Sequence, residues 1–112
     1  MVKNILIVDD NLDDLQEMKK ILEKEKHIVK IANNGIKALD YLLSEKFSVI
    51  IIDIKMPTLS GYDLLRLMKE KVNNKVKMVY ASIVPKKEVN MEGVDGFVQK
   101  PFSKQTLLKA IK

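Results

Sequence analysis

The sequence predicts an α/β domain built on a parallel sheet, and two patterns carry that expectation. Short apolar runs alternate five times with segments of helical spacing, the order expected of parallel strands joined by right-handed crossovers. The runs at 5–8, 49–52 and 78–81 are wholly apolar, as strands buried on both faces require. Those at 28–32 and 96–99 carry polar or charged residues and belong at the edges. With 112 residues, 46% of them hydrophobic, the chain has enough apolar surface for one packed core, and residues 1–112 are expected to form a single domain.

Each element has its own local reason. Asn4–Val8 is the first strand and runs into Asp9-Asp10. Asn11 caps the first helix, with Asp13 and Asp14 in its first turn, where carboxylates favour a helix N-terminus. Leu12, Leu15, Met18 or Lys19, and Leu22 keep helical spacing to about Lys24. Ile28–Ala32 is a second strand interrupted by a charge, and Asn33-Asn34-Gly35 makes the turn that follows. Ile36, Leu39, Leu42 and Leu43 stripe a second helix. The central strand spans 48–53 and ends on a carboxylate, Asp53. Ser60 caps the third helix, with Asp63 as its capping-box partner and Leu64, Leu65, Met68 and Val72 as its apolar stripe. Met78–Ala81 is the fourth strand, with Ser82 at its end. Ile83–Gly93 has the weakest pattern: Pro85 opposes an early helix start, and only a short helix near 86–91 is expected. Gly96–Gln99 is the fifth strand, Lys100-Pro101-Phe102 breaks it, and Ser103 caps a last helix carrying Leu107, Leu108 and Ile111.

Three interior and two edge strands fit a flavodoxin-like, doubly wound sheet in the order 2-1-3-4-5, with a short or irregular fourth helix. The switch point of that order lies between strands one and three, and ligands bind at the carboxyl ends of strands there. Asp9-Asp10 and Asp53 end those two strands. Three carboxylates from separate parts of the chain are therefore expected to meet in one crevice.

Composition removes several alternatives. Cysteine is absent, which excludes disulfides and thiolate metal sites and suits a reducing, cytoplasmic setting. No apolar run approaches a membrane span and no signal-peptide plan opens the chain. The net charge of +5 is uneven: residues 1–63 carry −2 and residues 64–112 carry +7. Nucleic acid is nevertheless not the expected partner. Arg66 is the sole arginine and aromatics make up 5% of the chain, whereas base reading favours Arg and single strands need stacking platforms. The single histidine, His27, precedes an edge strand and is read as a surface residue.

Carboxylates this close repel, and they stay ionised together only with a cation among them. An all-oxygen site with open positions suits Mg²⁺, which keeps waters and favours a phosphate partner. Lys100 ends strand five and Ser82 ends strand four, on the same side of the sheet. An ammonium and a hydroxyl facing such a site suit the oxygens of a phosphoryl group. Asp53 is then a candidate nucleophile forming an aspartyl phosphate.

Asp9-Asp10 after strand one, D-I-K-M-P-T-L-S-G from Asp53 to Gly61, Ser82 after strand four and G-V-D-G-F-V-Q-K-P-F from Gly93 to Phe102 together resemble the receiver domain of two-component response regulators, over essentially the full length. The resemblance is to the stand-alone, single-domain type. It implies that Asp53 takes a phosphoryl group from a histidine kinase or phosphotransfer protein. It implies that Asp9, Asp10, Asp53 and the backbone carbonyl of Lys55 hold Mg²⁺, and that Ser82 and Lys100 contact the phosphoryl oxygens. It further implies a rotamer change at Phe97 and a cis Lys100-Pro101 bond. Such a protein is a phosphoacceptor switch that catalyses only its own phosphorylation and dephosphorylation. Its expected output is contact with a downstream protein or a second copy of the chain, without nucleic acid or membrane. Tyr80-Ala81 offers a second register for the switch hydroxyl; Ser82 is preferred because the Tyr80 register drives Lys77 into a buried strand. A non-phosphorylated binding module, a Mg²⁺-dependent phosphatase and a flavin protein remain weaker readings. The phosphatase normally needs a carboxylate where Lys55 stands, and the flavin protein needs a phosphate loop missing after strand one.

Overall fold

The computed structural model describes residues 2–57, 59–71 and 76–112. Its elements run β1 (Asn4–Val8), α1 (Leu12–Lys24), β2 (Ile28–Ala32), α2 (Gly35–Ser44), β3 (Val49–Asp53), α3 (Gly61–Lys71), β4 (Lys77–Ser82), β5 (Gly96–Gln99) and α4 (Lys104–Ile111). The strands form one parallel sheet in the order β2-β1-β3-β4-β5. This is the doubly wound, flavodoxin-like arrangement, with the mixed strands at its edges.

Alternation along the strands builds a core on each face. Leu6, Val8, Ile50, Ile52 and Tyr80 meet Ala38 and Leu42 of α2 and Leu64, Leu65 and Met68 of α3. Ile5, Ile7, Ile51, Val79 and Val98 meet Leu15, Met18 and Leu22 of α1 and Leu107 and Ile111 of α4. Every position of β3 is buried. Each aliphatic side chain there contributes about 1.5–3 kcal/mol on burial, so the strand that ends in Asp53 is clamped from both faces.

Side chains start the helices. Asn11 Oδ1 accepts the Asp14 N–H at 3.0 Å and Asn34 Oδ1 accepts the Lys37 N–H at 2.8 Å. Ser60 Oγ accepts the Asp63 N–H at 3.2 Å. The Asp63 carboxylate is held by Arg66 at 2.6 Å, so the side-chain half of the expected capping box is spent on an ion pair. Ser103 and Thr106 form a complete capping box at α4.

The structure corrects four expectations. The buried face of α2 is Gly35, Ala38 and Leu42, while Ile36 and Leu43 are each 59% exposed. The Asn34 cap fixes where the helix begins, and its small residues then face the sheet. Leu12 is 60% exposed, because the buried stripe of α1 starts a turn later at Leu15. Strand β4 begins one residue early, at Lys77, whose ammonium reaches past the core to the Lys112 carbonyl. The short helix expected near 86–91 is a single 3-10 turn at Lys86–Glu88. Pro85 enters it in an extended conformation, and Val89 leaves it extended and buried. Val72, expected on the stripe of α3, lies outside the described residues.

Candidate functional site

Register brings the strand ends to one level. Val8 is paired with Ile52, Asp53 with Ala81, and Ser82 with Gln99. Asp9, Asp53, Ser82 and Lys100 therefore lie at or one residue past the carboxyl ends of neighbouring strands. Asp9 is fully buried. Its N–H donates to the Ala32 carbonyl at 3.1 Å, and its Oδ1 accepts the Asn11 N–H at 2.9 Å. Asp10 is exposed beside it. Asp9, Asp10 and Asp53 each offer a carboxylate oxygen within 4.8 Å of the others.

The chain after Asp53 turns back tightly. Asp53 Oδ1 accepts the Lys55 N–H at 3.3 Å, and the Gly61 N–H donates to the Ile54 carbonyl at 2.9 Å. A side chain at Gly61 would place its Cβ 2.6 Å from the Asp53 carbonyl and 2.8 Å from the Ile54 Cα. Only glycine lets α3 start this close to the end of β3.

Lys100 is drawn into the carboxylates. Its Nζ lies 2.6 Å from Asp9 Oδ2, 2.9 Å from Asp14 Oδ2 and 3.6 Å from Asp53 Oδ2, and its side chain is 7% exposed. Burial by itself would lower its pKa, but its hydrogen bonds to Asp9 and Asp14 hold it above the ordinary lysine range. Asp53 moves the other way: burial and the neighbouring Asp9 charge push its carboxyl up to about 7, with Lys100 offsetting part of the rise. The Asp9 carboxylate acts on both groups, raising Asp53 by repulsion and Lys100 by attraction.

Ser82 is fully buried. Its hydroxyl accepts the Val84 N–H at 3.1 Å, and its carbonyl accepts the Lys100 N–H at 2.9 Å, so the ends of β4 and β5 are tied. Tyr80, two residues earlier, packs into the core against α2 and α3, with its ring edge-to-face to Tyr62 at 5.6 Å. Its buried hydroxyl has no partner among the described residues, and burial pushes it up to about 12. Of the two candidate registers, only the Ser82 one puts a hydroxyl at the strand end. Phe97, beside Tyr80 in β5, is half-buried against the same core. The Lys100-Pro101 peptide is cis.

Two side chains are placed differently from their sequence reading. Asp14, assigned to the helix terminus, turns its carboxylate onto Lys100. No spacing within the chain signals this contact, which depends on how α1 lies over the sheet. His27 is half-buried rather than a free surface group, because its Nδ1 accepts the Lys3 N–H at 3.1 Å.

The donor set fits a hard divalent cation. All three clustered donors are carboxylates, and one of them is open to solvent. That is the chemistry of a Mg²⁺ site rather than of a soft-metal site.

Fold, strand-end acids and buried lysine together define a family. Residues 5–112 match the model of the response regulator receiver domain, and the chain belongs to that family. The heme response regulator HssR of Staphylococcus saprophyticus is 31% identical over 109 residues, covering 96% of this chain and 49% of that protein. The chain thus spans about half the length of the curated relatives it matches. Among solved structures, the chemotaxis response regulator CheY4 of Vibrio cholerae superposes with a TM-score of 0.90 at 27% identity, covering 97% of this chain and 95% of that one. The response regulator TrrA of Thermotoga maritima, solved in complex with Mg²⁺-BeF, superposes with a TM-score of 0.86 at 27% identity, covering 96% and 94%. Among the described residues, no helix is long and apolar enough to cross a membrane.

Proposed function

We propose that Asp53 is the phosphoryl acceptor of a Mg²⁺-dependent switch, loaded by the phosphohistidine of a histidine kinase or phosphotransfer protein. The observation that carries this reading is the meeting of Asp9, Asp10, Asp53 and Lys100 at adjacent strand ends, with Lys100 held 2.6 Å from Asp9 and 3.6 Å from Asp53. Asp9, Asp10, Asp53 and the Lys55 carbonyl are the groups that would hold Mg²⁺; TrrA, of the same fold, was solved with that ion and a fluoroberyllate. When bound, the ion supplies positive charge that keeps Asp53 ionised and shields an incoming anion from the acids.

The chain's own residues do the rest. A carboxylate oxygen of Asp53 attacks phosphorus, the new P–O bond forms, and the P–N bond to the donor imidazole breaks with its electron pair leaving on nitrogen. The Lys100 ammonium, already at the site, pairs with the added charge. Ser82 exchanges its contact with the Val84 N–H for a phosphoryl oxygen, which draws on the 83–93 connection. Phe97 is placed to follow, because it lines the core beside that connection. Hydrolysis runs with a water oxygen attacking phosphorus and the Asp53 carboxylate leaving, so the protein acts only on its own phosphoryl group. The output is a protein contact around β5 and α4, made in the cytoplasm by a downstream partner or a second copy. Residues 1–112 act there as one receiver domain.

Intact-mass measurement after acetyl phosphate and Mg²⁺ treatment tests the reading. Wild type should gain one phosphoryl group and Asp53→Asn none; equal gain in both would refute it.

A further inference from the structure

We propose that Asp14 is a positioning residue for Lys100, a second anionic anchor that competes with the phosphoryl group for the lysine ammonium. The inference deepens the phosphoacceptor reading and rests on it. Asp14 is not needed to start α1. Asn11 is the cap and accepts the Asp14 backbone N–H at 3.0 Å, and Asp13 already supplies first-turn negative charge. The Asp14 carboxylate instead reaches Lys100 Nζ at 2.9 Å. It is 29% exposed, against 7% for the Lys100 side chain, so it approaches the ammonium from the solvent side.

The ammonium's two close partners differ in what they can do next. Asp9, at 2.6 Å, belongs to the carboxylate cluster with Asp10 and Asp53. Asp14 stands outside that cluster. A cation drawing on Asp9 weakens the Asp9–Lys100 pair and leaves the Asp14 pair whole. Asp53 Oδ2, at 3.6 Å, is beyond hydrogen-bond reach, so the ammonium rests on Asp9 and Asp14 and a phosphoryl oxygen must draw it from them. Asp14 holds it back. The time Lys100 spends on the phosphoryl oxygens is then set by a partition between two anions, and Asp14 sets one side of it.

The test is the dissociation constant of beryllofluoride, read from amide shifts at fixed saturating Mg²⁺, in a double-mutant cycle. Asp14→Asn should bind roughly fivefold more tightly than wild type, the size of one partly screened charged contact. Asp14→Glu, which keeps the charge, should stay within about twofold of wild type. In a Lys100→Ala background, Asp14→Asn should change nothing, because the effect runs through the ammonium. An equal gain in both backgrounds would show plain charge repulsion and overturn the proposal. Unchanged or weaker binding by Asp14→Asn would overturn it too. A second reading needs no phosphoryl mimic: without metal, the Lys100 ammonium ¹⁵N resonance should shift in Asp14→Asn, and a resonance at the wild-type position would show that the contact is not made. Failure of wild type itself to bind beryllofluoride would instead remove the phosphoacceptor reading on which the proposal stands.

Discussion

At the scale of single residues, the crevice is a problem in charge, and Asp53 reports it. Its carboxyl, raised from 3.8 to about 7 chiefly by burial and then by Asp9, binds a proton more tightly in the folded chain than in the unfolded one. Such a group adds stability that is fully present below about pH 4 and is lost as pH climbs through about 7. Urea midpoints of metal-free protein should therefore fall across that window, and Asp53→Asn should lose this part of the slope. Lys100 has the opposite role. Lys100→Ala would leave Asp9 buried without its cation, and loss of one member of a buried pair typically costs about 3–5 kcal/mol. Proton uptake by the orphaned acids would reduce that figure at low pH, so chemical denaturation at pH 8 is the informative measurement. The acid pair, Asp53, Ser82 and Lys100 were legible in the sequence because each directly follows or ends a strand whose apolar run is unmistakable. The Asp14–Lys100 contact was not, since it depends on how α1 turns over the sheet rather than on any spacing within the chain.

At the scale of elements, the site is bordered by the close start of α3 against β3 on one side and by an irregular connection after β4 on the other. Gly61 allows α3 to start against β3, and a Cβ there would meet backbone atoms, which cannot step aside. Gly61→Ala should cost about 2 kcal/mol or more, within the range of strain-driven single substitutions. Because the displaced atoms belong to Asp53 and Ile54, phosphorylation should slow as well. A stability loss without a change in rate would show that the turn does not position the acceptor. The 83–93 connection is the irregular side, a 3-10 turn where the other crossovers have helices. Ile83, 67% exposed beside Ser82, is placed to crowd the water that hydrolyses the phosphoryl group. Ile83→Ala should shorten the phosphoryl half-life by up to about tenfold, which needs only ~1.4 kcal/mol of barrier; an unchanged half-life in a Phos-tag time course would end that idea. The weak sequence pattern of 83–93 foretold irregular structure but not its form, because Pro85 excludes one helix start without selecting an alternative. The buried face of α2 was misread for a related reason. Leucine and isoleucine occur on two sides of that helix, and only the Asn34 cap and the close approach of Gly35 to Leu59 decide which side meets the sheet.

At the scale of the whole molecule, the sheet order brings strand ends that are far apart in sequence to one edge, and the charge asymmetry gives that edge a direction. Lys100, with Asp9 91 residues away, joins the basic half of the chain to the acidic half. A switch built this way changes the charge balance at the joint, beside β5 and α4, where the proposed partner contact lies. Asp53 is the residue on which all of this turns. The direct measurement is to load the protein with acetyl phosphate and Mg²⁺, reduce the acyl phosphate with borohydride, and map the altered residue by peptide mass spectrometry. Conversion of Asp53 to homoserine, with Asp9, Asp10 and Asp14 unchanged, is the predicted result. Reduction at any other carboxylate, or none at Asp53 in a sample shown by intact mass to be phosphorylated, would contradict it.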